Sequence, residues 1–204
     1  IASLATAVVL GLTVGPGIGV ADAAITVNHD TLAGQLEITG DNANDQVEIS
    51  CVSGTLHVNG NPHGSFNTCN LVVGVTVLGG GGSDTIDFSG VDNTDFQNMG
   101  VYPVSLDGQA SNDLVLGPDL PGGSILSGGL QADTVIGGSG PDLLAGDQGF
   151  NDSLVGGGGS DTVDYSASAG NRQINLGTGF STSGSETDTL SGVEDATGSG
   201  GHDT

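Results

Sequence analysis

Four glycine-led blocks follow one another between Gly128 and Asp164: GGLQADTVI, GGSGPDLLA, GDQGFNDSLV and GGGGSDTVD. Each holds an Asp at its sixth or seventh place and closes on a short β-type triplet with an apolar centre, Val135, Leu144, Leu154 or Val163. The aspartates fall at 133, 142, 152 and 161, so the step is nine or ten residues. A repeat this short has room for one strand and one turn, and it cannot bury its apolar residue alone. A flexible Gly/Asp linker would not keep an apolar residue two places behind an Asp at constant intervals.

Two such blocks can make one turn of a flattened coil, with the triplets as parallel strands on two faces and the six-residue loops as the two edges. The loops need glycine where the backbone takes φ > 0. The apolar centres point inward and stack turn on turn. The same stacking brings aspartates together along each edge, where their repulsion holds the loops open unless a cation neutralises it. Calcium takes six to eight oxygen ligands, carboxylates and backbone carbonyls among them, and glycine loops offer carbonyls freely. Calcium is therefore the expected partner, and its binding energy becomes folding energy. On this geometry Asp133 shares an edge with Asp152, and Asp142 with Asp161. Asp113 and Asp133, 20 residues apart, form a further pair.

The beat continues outside the clean blocks. GGGGSDTID at 79–87 is a separate copy with Asp84 as its ligand candidate, DGQASNDLVL carries Ala and Ser in glycine places, and GSGGHDT ends the chain with Asp203. Apolar residues recur at Val77, Ile86, Phe96, Leu106, Val115, Ile125, Val135, Leu144, Leu154, Val163 and Ile174. An earlier series, Val27, Ile38, Val47, Leu56 and Phe66, joins them. Between Ala24 and Leu78 the triplets around Thr26, Glu37, Glu48 and His57 alternate apolar and polar residues, the signature of half-buried strands. Gly40–Asp45 reads as a worn copy of the repeat. Leu71–Leu78 reads as a strand buried on both faces. No stretch has the pattern of an amphipathic helix.

Composition sharpens this. One basic residue, Arg172, stands against 24 acids, for a formal net charge of −23. Such a surface repels nucleic acid and anionic membranes and attracts cations. Glycine at 39 residues and aromatics at 3% leave too little for a conventional core, but the 35% of apolar residues are regularly spaced. Leu4–Val20 followed by Ala21-Asp22-Ala23 has the form of an export leader with an A-x-A cleavage site, the alternative being a buried apolar helix. The leader predicts a secreted or surface location and a mature chain from Ala24 with no membrane span. The absent basic n-region, Ile1, and the repeat broken off at Thr204 read as a fragment of a longer chain. In an oxidising compartment Cys51 and Cys69 are expected to form a disulfide, two buried thiols being the alternative. The four histidines, His29, His57, His63 and His202, show no partner pattern and are expected to be exposed.

The blocks resemble the hemolysin-type calcium-binding nonapeptide repeats of RTX (repeats-in-toxin) proteins. The match covers 128–164, with 79–87 and 198–204 as further copies. The tail DTVDYSASA…INLGTG…DTLSGVEDATGSGGHDT is similar to spacers between blocks in that family. The resemblance implies an all-β chain built as a right-handed parallel β-roll or β-helix solenoid with calcium in its Gly-Asp loops. It also implies a bacterial secreted protein that folds after export. The family's aspartate ligand carries over onto Asp84, Asp133, Asp142, Asp152, Asp161 and Asp203. The departures are Leu130-Gln131 in place of an x-Gly step, Asp147 in a glycine place, and an extra residue at Phe150-Asn151.

The expected organisation is a leader at 1–23, an N-terminal β region with early turns and the disulfide at 24–78, a calcium-binding roll at 79–164, and a spacer with the start of another block at 165–204. The sequence favours a calcium-loaded structural or surface module. The alternative is the non-catalytic repeat region of a secreted enzyme (protease, lipase or polysaccharide-modifying) or an adhesin. No H-E-x-x-H or G-x-S-x-G motif is present. A lyase acting on acidic polysaccharide would need basic side chains where only Arg172 exists, and Arg172 is expected to be solvated or ion-paired.

Overall fold

The computed structural model describes residues 8–11, 24–30, 33–63, 68–148, 151–168 and 170–204. The expected leader thus lies outside them apart from one strand, Val8–Gly11, which pairs antiparallel with Ala24–Asp30. Phe66 and Phe150 also lie outside them, as does the His29 side chain.

The described chain is all-β, with a single short 3-10 turn at Cys69–Leu71. From Gly74 to Asp164 consecutive strands alternate between two sheets, and each pairs in parallel with the strand one full turn away. In the first sheet Gln35–Thr39, Gly74–Gly81, Val104–Ala110, Ile125–Ser127, Leu143–Ala145, Thr162–Asp164 and Asp195–Thr197 lie in that order. In the second the order is Gln46–Val52, Thr85–Asp87, Leu114–Leu116, Thr134–Ile136, Ser153–Val155 and Glu186–Ser191. Register follows the repeat: Val135 faces Val115 on one side and Leu154 on the other.

A triplet strand leaves only its central residue facing inward, so the core is a double row of single side chains. Val115, Val135 and Leu154 from one sheet join Leu126, Leu144 and Val163 from the other in one buried cluster. The expected beat holds with one shift. Ile125 is 43% exposed, and Leu126 takes the inward place, because Ile125 pairs with Ser105 and Leu126 with buried Leu106. Phe96 is buried but lies in a turn, not a strand. It packs with Phe88, Val91 and Met99 in the long excursion 88–103 that interrupts the repeat.

The N-terminal region is partly of the same build. Gln35–Thr39 and Gln46–Val52 stack in parallel on the later turns, while their neighbours Ala24–Asp30 and Thr55–Val58 pair with them as antiparallel strands. Cys51 and Cys69 form the expected disulfide, with Cα atoms 6.0 Å apart. The apolar run 71–78 does not make a strand buried on both faces. Leu71 belongs to the 3-10 turn and is 54% exposed, and the strand from Gly74 alternates, with Val75 and Val77 buried and Thr76 outward. The run needed only one buried face because no helix layer covers the other. His63 also departs from expectation. It is 2% exposed, and its backbone N–H donates to Leu56 O at the end of the hairpin that carries it.

After Thr162–Asp164 the chain leaves the repeat. Gln173–Asn175 and Phe180–Ser183 form an antiparallel meander on the outer edge of Glu186–Ser191. That meander is why the repeat's register breaks in sequence, although Thr189 and Leu190 still stack on Ser153 and Leu154.

Candidate metal centre

Acids lead into most strands of the two parallel stacks, and these residues line up in two rows. In the first row the Oδ1 of each aspartate accepts the backbone N–H of the aspartate one turn before it. Asp84 accepts from Asp45 at 2.7 Å, Asp113 from Asp84 at 2.7 Å, Asp133 from Asp113 at 2.8 Å, Asp152 from Asp133 at 2.9 Å, and Asp188 from Asp152 at 3.1 Å. In the second row Asp142 accepts from both the N–H and the hydroxyl of Ser124 at 2.7 Å, Asp161 accepts from Asp142 at 2.8 Å, and Glu194 accepts from Asp161 at 2.9 Å. The expected pairs Asp133–Asp152, Asp142–Asp161 and Asp113–Asp133 are therefore neighbours. Asp84 is not isolated but sits between Asp45 and Asp113. Asp203 lies outside both rows, and its Oδ1 accepts the Arg172 N–H at 2.9 Å.

The glycine that opens each block is explained by space. A Cβ on Gly79, Gly108, Gly128, Gly137 or Gly156 would lie 2.5–2.6 Å from Oδ2 of the aspartate five residues on. Each carboxyl thus folds back over its own glycine. Left-handed backbone occurs at the second and fourth places instead, as at Gly157 (φ 107°) and Gly159 (φ 133°). In the degenerate blocks Gln109, Ser111, Gln131 and Asp147 adopt φ of 73°, 99°, 84° and 64° there. In DGQASND the left-handed places are thus Gln109 and Ser111, while Ala110 lies between them. The loop geometry survives these departures, and stacking holds it. The N–H of Leu130 donates to Gln109 O at 2.7 Å, and that of Gly158 to Gly138 O at 2.9 Å.

The second carboxylate oxygen of most row members is left over. Among the described residues Oδ2 of Asp84, Asp113, Asp133, Asp152 and Asp161, and Oδ1 of Asp45, are buried with no hydrogen-bond partner. A buried charge without a partner is costly, and the acids respond accordingly. Burial pushes Asp84 up to about 6, Asp113 to about 7, Asp133 to about 6 and Asp152 to about 8. Adjacent carboxylates raise them further, and the backbone N–H bonds oppose both effects. Asp45 and Asp161 are raised for the same reason. Orphaned buried oxygens in a row fit a hard cation, which takes oxygen ligands of this type.

At the far end of the first row Asp152, Glu186 and Asp188 offer carboxylate oxygens all within 4.8 Å of one another, close enough to share one metal ion. Arg172 lies against two of the three. Its Nη1 is 2.5 Å from Asp188 Oδ2, its Nη2 pairs with Glu186, and its Cζ sits 4.0 Å from the centroid of the Tyr165 ring. The ion-paired reading of Arg172 thus holds; at 2% exposure the side chain is not solvated.

Sequence reasoning missed Asp45, Asp188 and Glu194 as row members. Asp188 was visible in Asp188-Thr189-Leu190, which repeats Asp84-Thr85-Ile86, Asp133-Thr134-Val135 and Asp161-Thr162-Val163. The inserted meander hid it by stretching the step from 19 to 36 residues. Among the described residues no helix is long and apolar enough to cross a membrane. Comparisons with protein-family models, with curated proteins and with solved structures gave no match.

Proposed function

We propose that this chain is a calcium-binding β-roll of the RTX type, a right-handed solenoid module that acts outside the cell in a structural or surface role and completes its folding when calcium arrives. The observation that carries the reading is the pair of acid rows in which Asp84, Asp113, Asp133, Asp152 and Asp161 each keep a buried second oxygen with no hydrogen-bond partner. Asp84, Asp113, Asp133 and Asp152 would hold cations along one edge, with Asp45 at its start, and Asp142 and Asp161 along the other. Calcium supplies the positive charge that lets these carboxyls stay ionised while buried. The chain's own part is to space them by one turn, to clear room with glycine, and to fix one oxygen of each by a backbone N–H. Export is supported by the leader-like N-terminus and is consistent with the disulfide.

The test is isothermal titration of Asp142→Ala/Asp161→Ala against Asp92→Ala/Asp95→Ala. Asp92 and Asp95 are exposed, and Asp92 only closes a local turn through the N–H groups of Thr94 and Asp95. The first pair of substitutions is expected to lose calcium sites and the second to keep the wild-type count. Equal counts in both would refute the assignment.

A further inference from the structure

The one basic side chain in a chain of net charge −23 is buried, and its position carries a consequence. Residues entering the repeat strands are acids: Asp133 before Thr134–Ile136, Asp152 before Ser153–Val155, Asp161 before Thr162–Asp164. Arg172 holds the same place before Gln173–Asn175. Its backbone behaves as theirs does, since its N–H donates to the Oδ1 of the next acid, Asp203. Its side chain does the opposite, running back across the meander to the end of the first acid row. There Nη1 donates to Asp188 Oδ2 and, at 2.9 Å, to Ser181 Oγ, while Nη2 pairs with Glu186. Ser181 and Asp188 are fully buried, and Tyr165 covers the guanidinium face.

We propose that Arg172 is the resident cation of the Asp152–Glu186–Asp188 group: the guanidinium occupies the place a metal ion would otherwise take, so the acid row crosses the inserted meander without one. A guanidinium presents fixed donors to paired carboxylates and stacks on an aromatic ring. It therefore gives this point a positive charge that calcium withdrawal cannot remove. The proposal extends the calcium reading by naming the step of the row, from Asp152 to Asp188, that calcium does not fill, while Asp152 keeps its calcium place beside Asp133.

The experiment uses the full chain in a Tyr102→Phe background, which leaves Tyr165 as its only tyrosine in a chain with no tryptophan. Terbium and calcium stoichiometry and tyrosine-sensitised terbium emission are compared for Arg172 and Arg172→Gln. Removing the guanidinium should open the group, giving one more ion per chain and a gain of emission from Tyr165. Adding Glu186→Gln to Arg172→Gln should abolish both. Should Arg172→Gln show less β signal than the protein with Arg172 at equal calcium, a further excess of calcium is expected to restore it through the vacated group. No extra ion and no calcium rescue would overturn the proposal. So would a loss of one ion on Glu186→Gln with Arg172 present, since that places a metal beside the guanidinium. The two readings fail separately. A protein with Arg172 that binds no calcium sinks the function, while an Arg172→Gln variant that gains no ion sinks only this assignment.

Discussion

Gly137→Ala tests the close packing over a block's first glycine, by its aspartate and by the next turn's backbone, because the position carries no left-handed φ to confuse the result. A Cβ there would stand 2.6 Å from Asp142 Oδ2 and closer still to the carbonyl oxygen of Gly156 in the next turn. Asp142 cannot swing aside freely: Oδ1 is held by the Ser124 N–H and hydroxyl and Oδ2 by the Gly138 N–H at 2.7 Å. Overpacking of this kind costs about 2 kcal/mol, and one lost hydrogen bond about 1 kcal/mol net. The combined effect, about 3 kcal/mol, lowers the melting point by roughly 9 °C for a chain of this length. Gly90→Ala is the control. A Cβ at Gly90 meets nothing within 4 Å, and that substitution should be neutral or stabilise by about 0.5 kcal/mol through the unfolded state. Thermal loss of far-UV β signal in excess calcium measures both. If Gly137→Ala melts with Gly90→Ala, the aspartate does not lie over the glycine and the proposed basis of the repeat is wrong.

Two further outcomes follow from the acid rows and the disulfide. Because Asp84, Asp113, Asp133 and Asp152 have folded-state values of about 6, 7, 6 and 8 against 3.8, the folded state binds more protons between about pH 4 and 8. Their stabilising contribution is complete below the unfolded value and is lost as pH rises through the folded ones. In chelator the β signal should therefore be greatest near pH 4 and fall towards pH 8, Asp84 alone losing about 1.4 kcal/mol of stabilisation between pH 5 and pH 8; a β signal that rises with pH would contradict it, and excess calcium should flatten the dependence. Replacing Cys51 and Cys69 by Ser opens a crosslink spanning 18 residues, worth about 3 kcal/mol. Hydrogen exchange should then speed roughly a hundredfold in Gln46–Val58 while Thr134–Ile136 keeps its protection; a uniform change along the chain would refute the local role.

Much of this architecture was legible because the repeat writes one inward residue and one acid per strand. From Leu106 to Val163 the spacing alone placed the core, apart from the one-residue shift to Leu126, whose neighbour Ile125 is equally apolar. The acid pairs were legible for the same reason, since a constant step fixes which aspartates meet. Two things were hidden. An insertion adds residues without changing what stacks on what, so Asp188 joined its row unnoticed across the meander. Burial of long polar side chains depends on contacts remote in sequence. Nothing near His63 foretold its place at the end of a hairpin. Arg172 gave no sign that it would cross Ser181 to reach Asp188. Backbone freedom was the one reason legible in the sequence for glycine in the loops; it holds at the second and fourth places, whereas the first glycine makes room for the aspartate of its own block.

The central claim is that buried carboxylate rows make the fold depend on calcium. Its most direct measurement is the far-UV circular dichroism of the metal-stripped protein during calcium titration, followed by chelator. The account predicts a gain of β signal with a midpoint in the range of roughly 10⁻⁴–10⁻³ M, as for extracellular calcium modules, reversed on chelation. A spectrum already fully β without calcium, and unchanged throughout the titration, would contradict it.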